Sequence, residues 1–175
     1  MRPEVRFLSS RPVETKTRLR ANIYLANDCV LVDIDGTLAD CEHRRHFLDG
    51  EVKDWKSFLS PELAALDTLH EPVAKVITAL AQASYPIIYV SARNSGLRKV
   101  TENWLKQHHL WFEPRLLYLR KEGDMRADTI VKRELLELIR AKGYHPILSF
   151  DDRNSVVAMW RDEGITCLQV ADGDF

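Results

Sequence analysis

The sequence has 175 residues, 45% hydrophobic and 29% charged, with a formal net charge of −1; that suits one compact soluble domain able to bury about two-thirds of its unfolded surface. No apolar run approaches the roughly 20 residues that span a bilayer, which excludes a helical membrane protein, and the basic start lacks the apolar stretch of a secretory signal. The three cysteines, Cys29, Cys41 and Cys167, form no C-x-x-C pair, and two fall in expected core strands, so a reducing cytoplasmic setting fits best.

Residues 1–27 read as a basic leader. Arg2, Arg6, Arg11, Lys16, Arg18 and Arg20 stand there against Glu4 and Glu14, a composition suited either to tracking a nucleic-acid backbone or to plain solvation. From residue 28 on, strands and helices alternate. Residues 29–33 form a buried strand without period-two polarity. Val73, Val76, Ile77 and Leu80 mark a helix at i, i+3, i+4, i+7, with Pro72 suited to its first turn. Residues 86–91 (PIIYVS) give a second strand, and Leu97, Val100, Trp104 and Leu105 the next helix. Residues 116–119 form a third strand, 130–139 a helix and 146–150 a fourth strand. Asn154 offers an N-cap for a helix stopped by Gly164, and 165–170 is the fifth strand. This order predicts an α/β fold, a Rossmann-like parallel sheet flanked by helices on both faces. Ligands in such sheets bind at the carboxyl ends of the strands. The first crossover, residues 38–70, is too long for one helix. It reads as a small helical insertion over the mouth of the site, with helical pieces at 41–48 and 54–59.

Four strand ends carry chemistry. The first strand runs into Asp33-Ile34-Asp35-Gly36-Thr37. Alternate residues of a strand share a face, so Asp33 and Asp35 can project into one site. Gly36 lets the chain turn sharply, and a divalent cation such as Mg²⁺ would relieve the repulsion between the carboxylates. The second strand ends in Ser91-Ala92-Arg93. The third feeds Arg120, Lys121 and Arg126, and the fourth ends in Asp151-Asp152-Arg153. Lys132 stands near the start of its helix, four residues after Asp128 and on the same face. A lysine there opposes the helix dipole, which hints that it serves an anion.

The D-I-D-G-T run, the strand-terminal Ser91, the helix-borne Lys132 and the strand-terminal D-D together resemble the four motifs of the haloacid dehalogenase-like phosphohydrolases. The acid at the second aspartate is similar to their phosphatase branch. A closer resemblance is to the 3′-phosphatase half of bacteriophage-type polynucleotide kinase-phosphatases. It is carried by 91–96 (SARNSG), 123–132 (GDMRADTIVK) and the ending 150–175 (FDDRNSVVAMWRDEGITCLQVADGDF), and it covers about 28–175. Ala92 replaces a glycine usual in that family, and its Cβ is expected to restrict the local turn. The chain has no G-x-x-x-x-G-K-[ST], so no 5′-kinase activity is expected from it.

The resemblance implies a mechanism. Asp33 attacks phosphorus to give an aspartyl-phosphate, and Asp35 protonates the leaving oxygen and then activates water. Mg²⁺ is implied on Asp33, the Asp35 backbone carbonyl, Asp151 and Asp152. Ser91 and Lys132 bind the transferring phosphoryl group, with Asp128 orienting Lys132. Arg44, nine residues beyond Asp35, is expected with Arg93, Thr37 and Arg126 on the substrate side. Arg44, Arg93, Arg120, Lys121, Arg126 and Arg153 are expected to form a basic rim. The expected function is a Mg²⁺-dependent phosphomonoesterase acting on 3′-phosphate ends of DNA or RNA, with a separate kinase or ligase as a possible partner in trans. The alternatives are a phosphatase of free nucleotides and, less favoured because Asp33 and Asp35 are both present, a subunit that only binds ends.

Overall fold

The structure, a computed structural model, describes residues 27–49 and 51–173. The basic leader before Asn27 and the last two residues of the family-like ending lie outside the described residues. Five parallel strands make the main sheet: β1 (Asp28–Val32), β4 (Ile87–Asn94), β5 (Leu116–Arg120), β6 (His145–Arg153) and β7 (Thr166–Gly173), in the order β5-β4-β1-β6-β7. β1 is central and every residue in it is buried, which is why its sequence shows no polar alternation. Its two faces nevertheless feed two cores. Val30 and Val32 pack on one side with Ile77, Tyr89, Trp104 and Leu105. Cys29 and Leu31 pack on the other with Val131, Leu135, Leu136, Val156 and Trp160. The covering helices are α4 (Glu71–Gln82) and α5 (Arg98–Gln107) for the first core, and α6 (Asp128–Ala141) and α7 (Asn154–Asp162) for the second. The expected doubly covered parallel sheet is thus present. Among the described residues, no helix is long and apolar enough to cross a membrane.

Three strands run further than their apolar stretches predict, and the residues added to two of them carry the site. β4 continues past Ser91 to Asn94 and β6 past Phe150 to Arg153, each with a register irregularity, between Ser91 and Asn94 and between Asp151 and Arg153. Apolar periodicity does not mark these extensions because, Ala92 apart, the residues in them are polar. β7 likewise continues to Gly173. An added Cβ at Gly173 would sit 2.1 Å from the Asp152 carbonyl oxygen, so only glycine allows this close approach to the end of β6. Ala92 causes no difficulty, since it is absent from the positive-φ residues and fits the extended strand. Asn154 is the first helical residue of α7 rather than its N-cap. Its Oδ1 instead accepts from Gln169 Nε2 at 2.6 Å.

The insertion contains the expected short helices, α1 (Glu42–Arg45) with a 3₁₀ turn at His46–Leu48 and α2 (Trp55–Phe58), and a further one, α3 (Pro61–Ala64), outside the expected pieces. Asp54 caps α2 and Ser60 caps α3, through backbone N–H groups at 3.0 and 3.3 Å. The sequence did not announce the strands β2 (Ala39–Asp40) and β3 (Thr68–Leu69), which pair antiparallel and close the insertion at its base. That closure delivers Asp67 to the sheet edge.

Candidate active site

Asp33 and Asp35 follow the last residue of β1. Asp33 N–H still donates to Phe150 O at 3.0 Å, which keeps it alongside β6. The chain then turns through Gly36 at φ +76, with Leu38 and Ala39 N–H both returning to Ile34 O. A Cβ on Gly36 would stand 2.3 Å from Asp152 Oδ2. The glycine therefore provides both the left-handed turn and the room for a carboxylate from β6. Thr37, fully buried, donates from Oγ1 to Asp152 Oδ1 at 3.1 Å.

Two separate charge clusters result. In the first, oxygens of Asp33, Asp151 and Asp152 lie within 4.8 Å of one another. Lys132 Nζ is 3.0 Å from Asp33 Oδ1 and 2.7 Å from Asp151 Oδ2. Trp160 Nε1 also donates to Asp151 Oδ2, at 3.0 Å. Three buried carboxylates against one ammonium leave two negative charges. Burial raises the Asp33 pKa well above its ordinary value; Lys132 opposes the shift, while Asp151, Asp152 and Asp35 add to it. Asp152 is raised by burial and then by Asp151. Lys132 is raised in spite of its burial, because Asp151 and Asp33 favour its charged form.

The second cluster holds Asp35, Asp67, Arg44 and Arg93. Arg93 Nε and Nη2 bind Asp35 at 2.8 and 2.5 Å, and its Nη2 also binds Asp67 at 2.6 Å. Arg44 binds Asp67 through Nε and Nη2, both at 2.7 Å, and also donates to Asp35 Oδ1. Arg44 stacks its guanidinium 4.3 Å from the Phe58 ring centre and donates to Phe58 O. Asp35 is held well below the usual carboxylate range: its burial penalty is outweighed by Arg93 and Arg44.

These placements correct several expectations. Arg44 and Arg93 are 0% and 1% exposed, so they do not form part of the expected basic rim. The carboxylates of Asp35 and Asp67 draw them inward. The Asp35 side chain belongs to this cluster and lies outside the three-carboxylate group. Asp128 does not orient Lys132; its two oxygens are taken by Arg120 and Arg153. Lys132 turns instead to Asp33 and Asp151. Arg120 also donates to the carbonyls of Ala92, Asp124 and Arg126 and is only 9% exposed. It therefore pins the loop before α6 rather than facing solvent. Arg126 is on the surface, paired with Asp124 and Glu134. Ser91 is buried and its Oγ accepts from Arg93 N–H at 3.1 Å. Sequence reasoning missed Asp67 altogether, since it lies in no motif and in the short link between α3 and β3. It also missed Trp160, which periodicity marks only as a core residue.

The resemblance of the four motifs implies Mg²⁺, and the first cluster fits one. It offers three hard oxygen donors with two unbalanced negative charges. Asp33 Oδ1 is one of three fully buried side-chain polar atoms, among the described residues, without an aligned hydrogen-bond partner.

A family model described as the polynucleotide kinase PNKP phosphatase domain matches residues 27–175. The chain belongs to this family. The chain is similar to a protein of Autographa californica nuclear polyhedrosis virus described as a bifunctional polynucleotide kinase/RNA ligase. It is 31% identical over 135 residues, 76% of this chain but 18% of the viral protein. A chain in the structure of the Pnkp1/Rnl/Hen1 RNA repair complex is 36% identical, with TM-score 0.72, over 85% of this chain and 44% of that one. The chain thus spans less than half the length of either relative. A class C acid phosphatase from Bacillus anthracis, 13% identical with TM-score 0.62, shares 85% of this chain and 68% of its own. That likeness shows the fold. The molecule is a haloacid dehalogenase-type phosphatase domain of the PNKP family.

Proposed function

We propose that this phosphatase is a Mg²⁺-dependent polynucleotide 3′-phosphatase that works through an aspartyl-phosphate on Asp33. The observation that carries the reading is the separation of the two aspartates into different clusters. Asp33 lies with Lys132, Asp151 and Asp152, while Asp35 lies with two arginines. Two carboxylates whose surroundings push their proton affinities apart can serve two roles.

Asp33, Asp151 and Asp152 would hold Mg²⁺, together with the Asp35 backbone carbonyl. When bound, the cation neutralises the surplus charge of the cluster and of the phosphoryl oxygens and keeps Asp33 ionised. A carboxylate oxygen of Asp33 attacks phosphorus, and the bond from phosphorus to the sugar oxygen breaks. Lys132 and Ser91 bind the transferring phosphoryl group, where fixed donors stabilise charge as it develops. Thr37 holds Asp152 in place. Asp35 gives its proton to the leaving sugar oxygen. It then takes one from the water that attacks phosphorus and releases phosphate from Asp33. Arg44 and Arg93 hold Asp35 ionised in the free enzyme. Asp35, with a side chain 19% exposed, is the member of that cluster open to the site, and the negative charge of a substrate phosphate beside it raises its proton affinity so that it carries a proton. Asp128 acts at one remove, by clasping Arg120 and Arg153 beside the site. Arg126 is the outermost candidate for a phosphate further along the strand.

The family membership and the place of the 36%-identical relative in an RNA repair complex support nucleic-acid ends as substrate and a kinase or ligase acting in trans. They leave DNA and RNA ends both in play. A cytoplasmic setting agrees with the three free cysteines. The deciding experiment compares kcat/KM for matched 3′-phosphorylated DNA, RNA and mononucleotide, with and without Mg²⁺, at low and moderate salt. The oligonucleotides should win, by a margin that shrinks as salt rises. Equal values at low salt would favour a phosphatase of free nucleotides.

A further inference from the structure

We propose that Trp160 is a positioning residue of the carboxylate cluster, whose indole N–H fixes the Asp151 side chain for Lys132 and the divalent cation. The inference rests on the Mg²⁺ site of the reading above. Trp160 is 1% exposed and sits on α7 among Val131, Leu135, Val156 and other apolar side chains. Nothing in that wall requires a polar atom; a phenylalanine would fill most of the same volume. The indole N–H has only donor capacity and must find an acceptor when buried. Here it reaches Asp151 Oδ2 at 3.0 Å. The other deeply buried tryptophan, Trp104, reaches a backbone carbonyl, that of Asp67, at 2.8 Å. Trp160 thus spends its one donor on a carboxylate of the site.

Asp151 Oδ2 receives a second donor, Lys132 Nζ, at 2.7 Å. The two donors come from different helices, α6 and α7, so they hold the carboxylate from two sides. Asp151 is 0% exposed, and no solvent stands in if one donor is lost. Groups that orient a metal-binding carboxylate typically govern affinity as much as orientation, with about 10- to 100-fold lost on their removal. A tryptophan that served packing alone would affect stability and leave the metal untouched.

The experiment is calorimetric titration of the metal-free protein with Mg²⁺, comparing wild type, Trp160→Phe and Val156→Ala. Trp160→Phe keeps an aromatic ring and deletes the N–H; its Kd for Mg²⁺ should rise about tenfold. Val156→Ala thins the same core without touching a polar atom, so it should lower Tm and leave Kd unchanged. Equal Kd for wild type and Trp160→Phe, or an equal rise in Val156→Ala, overturns the inference. Should Trp160→Phe fail to fold, the ¹⁵N-indole signals of the wild-type protein report the same bond. Single phenylalanine substitutions at Trp55, Trp104 and Trp111 assign the four signals by elimination. The Trp160 signal should shift with Mg²⁺, and an unmoved signal overturns the inference. A wild-type protein that binds no Mg²⁺ overturns the metal reading and this inference together. Binding by wild type with no change in Trp160→Phe overturns only the latter.

Discussion

Arg44 and Asp67 form a buried two-pronged ion pair inside the insertion, Nε to Oδ1 and Nη2 to Oδ2, both at 2.7 Å. The pair ties the insertion to the acid of the site, because Arg44 also grips Asp35. Arg93 reaches the same two acids from β4. Two carboxylates and two guanidiniums thus balance in a place where none could stand alone.

Removing Asp67 should therefore be severe. Asp67→Ala leaves two buried guanidiniums sharing one carboxylate, with an expected loss of about 3–5 kcal/mol in urea unfolding. Displaced arginines should also lower kcat/KM on a 3′-phosphate by roughly a hundredfold. A variant of wild-type stability and activity would show that the network is dispensable. Arg44→Ala should behave similarly, and its effect should not depend on substrate length.

Asp33→Asn should abolish turnover and leave the protein folded. It removes the nucleophile and, in the absence of metal, also one of three crowded carboxylates. The variant should melt no lower than wild type in chelator. Substantial phosphatase activity in the folded variant would rule out Asp33 as nucleophile.

The same residue sets a pH dependence in metal-free protein. The folded pKa of Asp33 lies above its unfolded value of about 4. Its favourable contribution is therefore complete below that value and is lost as pH rises through the folded pKa. Asp35 works the other way: its folded pKa lies below the unfolded one. Its contribution is present above pH of about 4 and lost only as pH falls through the folded value. Stability of Asp33→Asn relative to wild type, measured in chelator from mildly acidic to neutral pH, should grow as pH rises. A flat difference would contradict the assignment.

Mg²⁺ should raise Tm, because the assembled cluster belongs to the native state; saturation at a hundred times Kd gives about 2.7 kcal/mol. Activity should fall to background in chelator and return with Mg²⁺. Gly36→Ala should lose this response, since the new Cβ at φ +76 strains the turn and strikes Asp152. Melting curves with and without Mg²⁺ check both. An Mg²⁺ response in Gly36→Ala equal to wild type would show that Asp152 can yield without consequence.

Arg126→Ala should change stability little, because the Arg126 side chain is on the surface and surface ion pairs contribute little. If it touches a second phosphate, kcat/KM should fall for an oligonucleotide and hold for a mononucleotide. An equal effect on both would remove it from the substrate path.

The sequence by itself determined the parallel sheet, the site at its carboxyl edge and the four motif strands. Each rests on a local signal: apolar runs such as 29–32, helical spacing such as Val73 to Leu80, and two aspartates one residue apart. Lys132, Asp151 and Asp152 were legible because they lie at the ends of those elements. Tertiary structure alone decided how the charges pair. Asp128 and Lys132 share a helix face, yet Asp128 turns to Arg120 and Arg153 while Lys132 turns to Asp33 and Asp151. Asp67 and Arg93 meet across 26 positions and Trp160 and Asp151 across nine. No sequence period encodes such meetings. Burial makes an unpaired charge costly, so the fold's close packing, rather than local spacing, selects each partner.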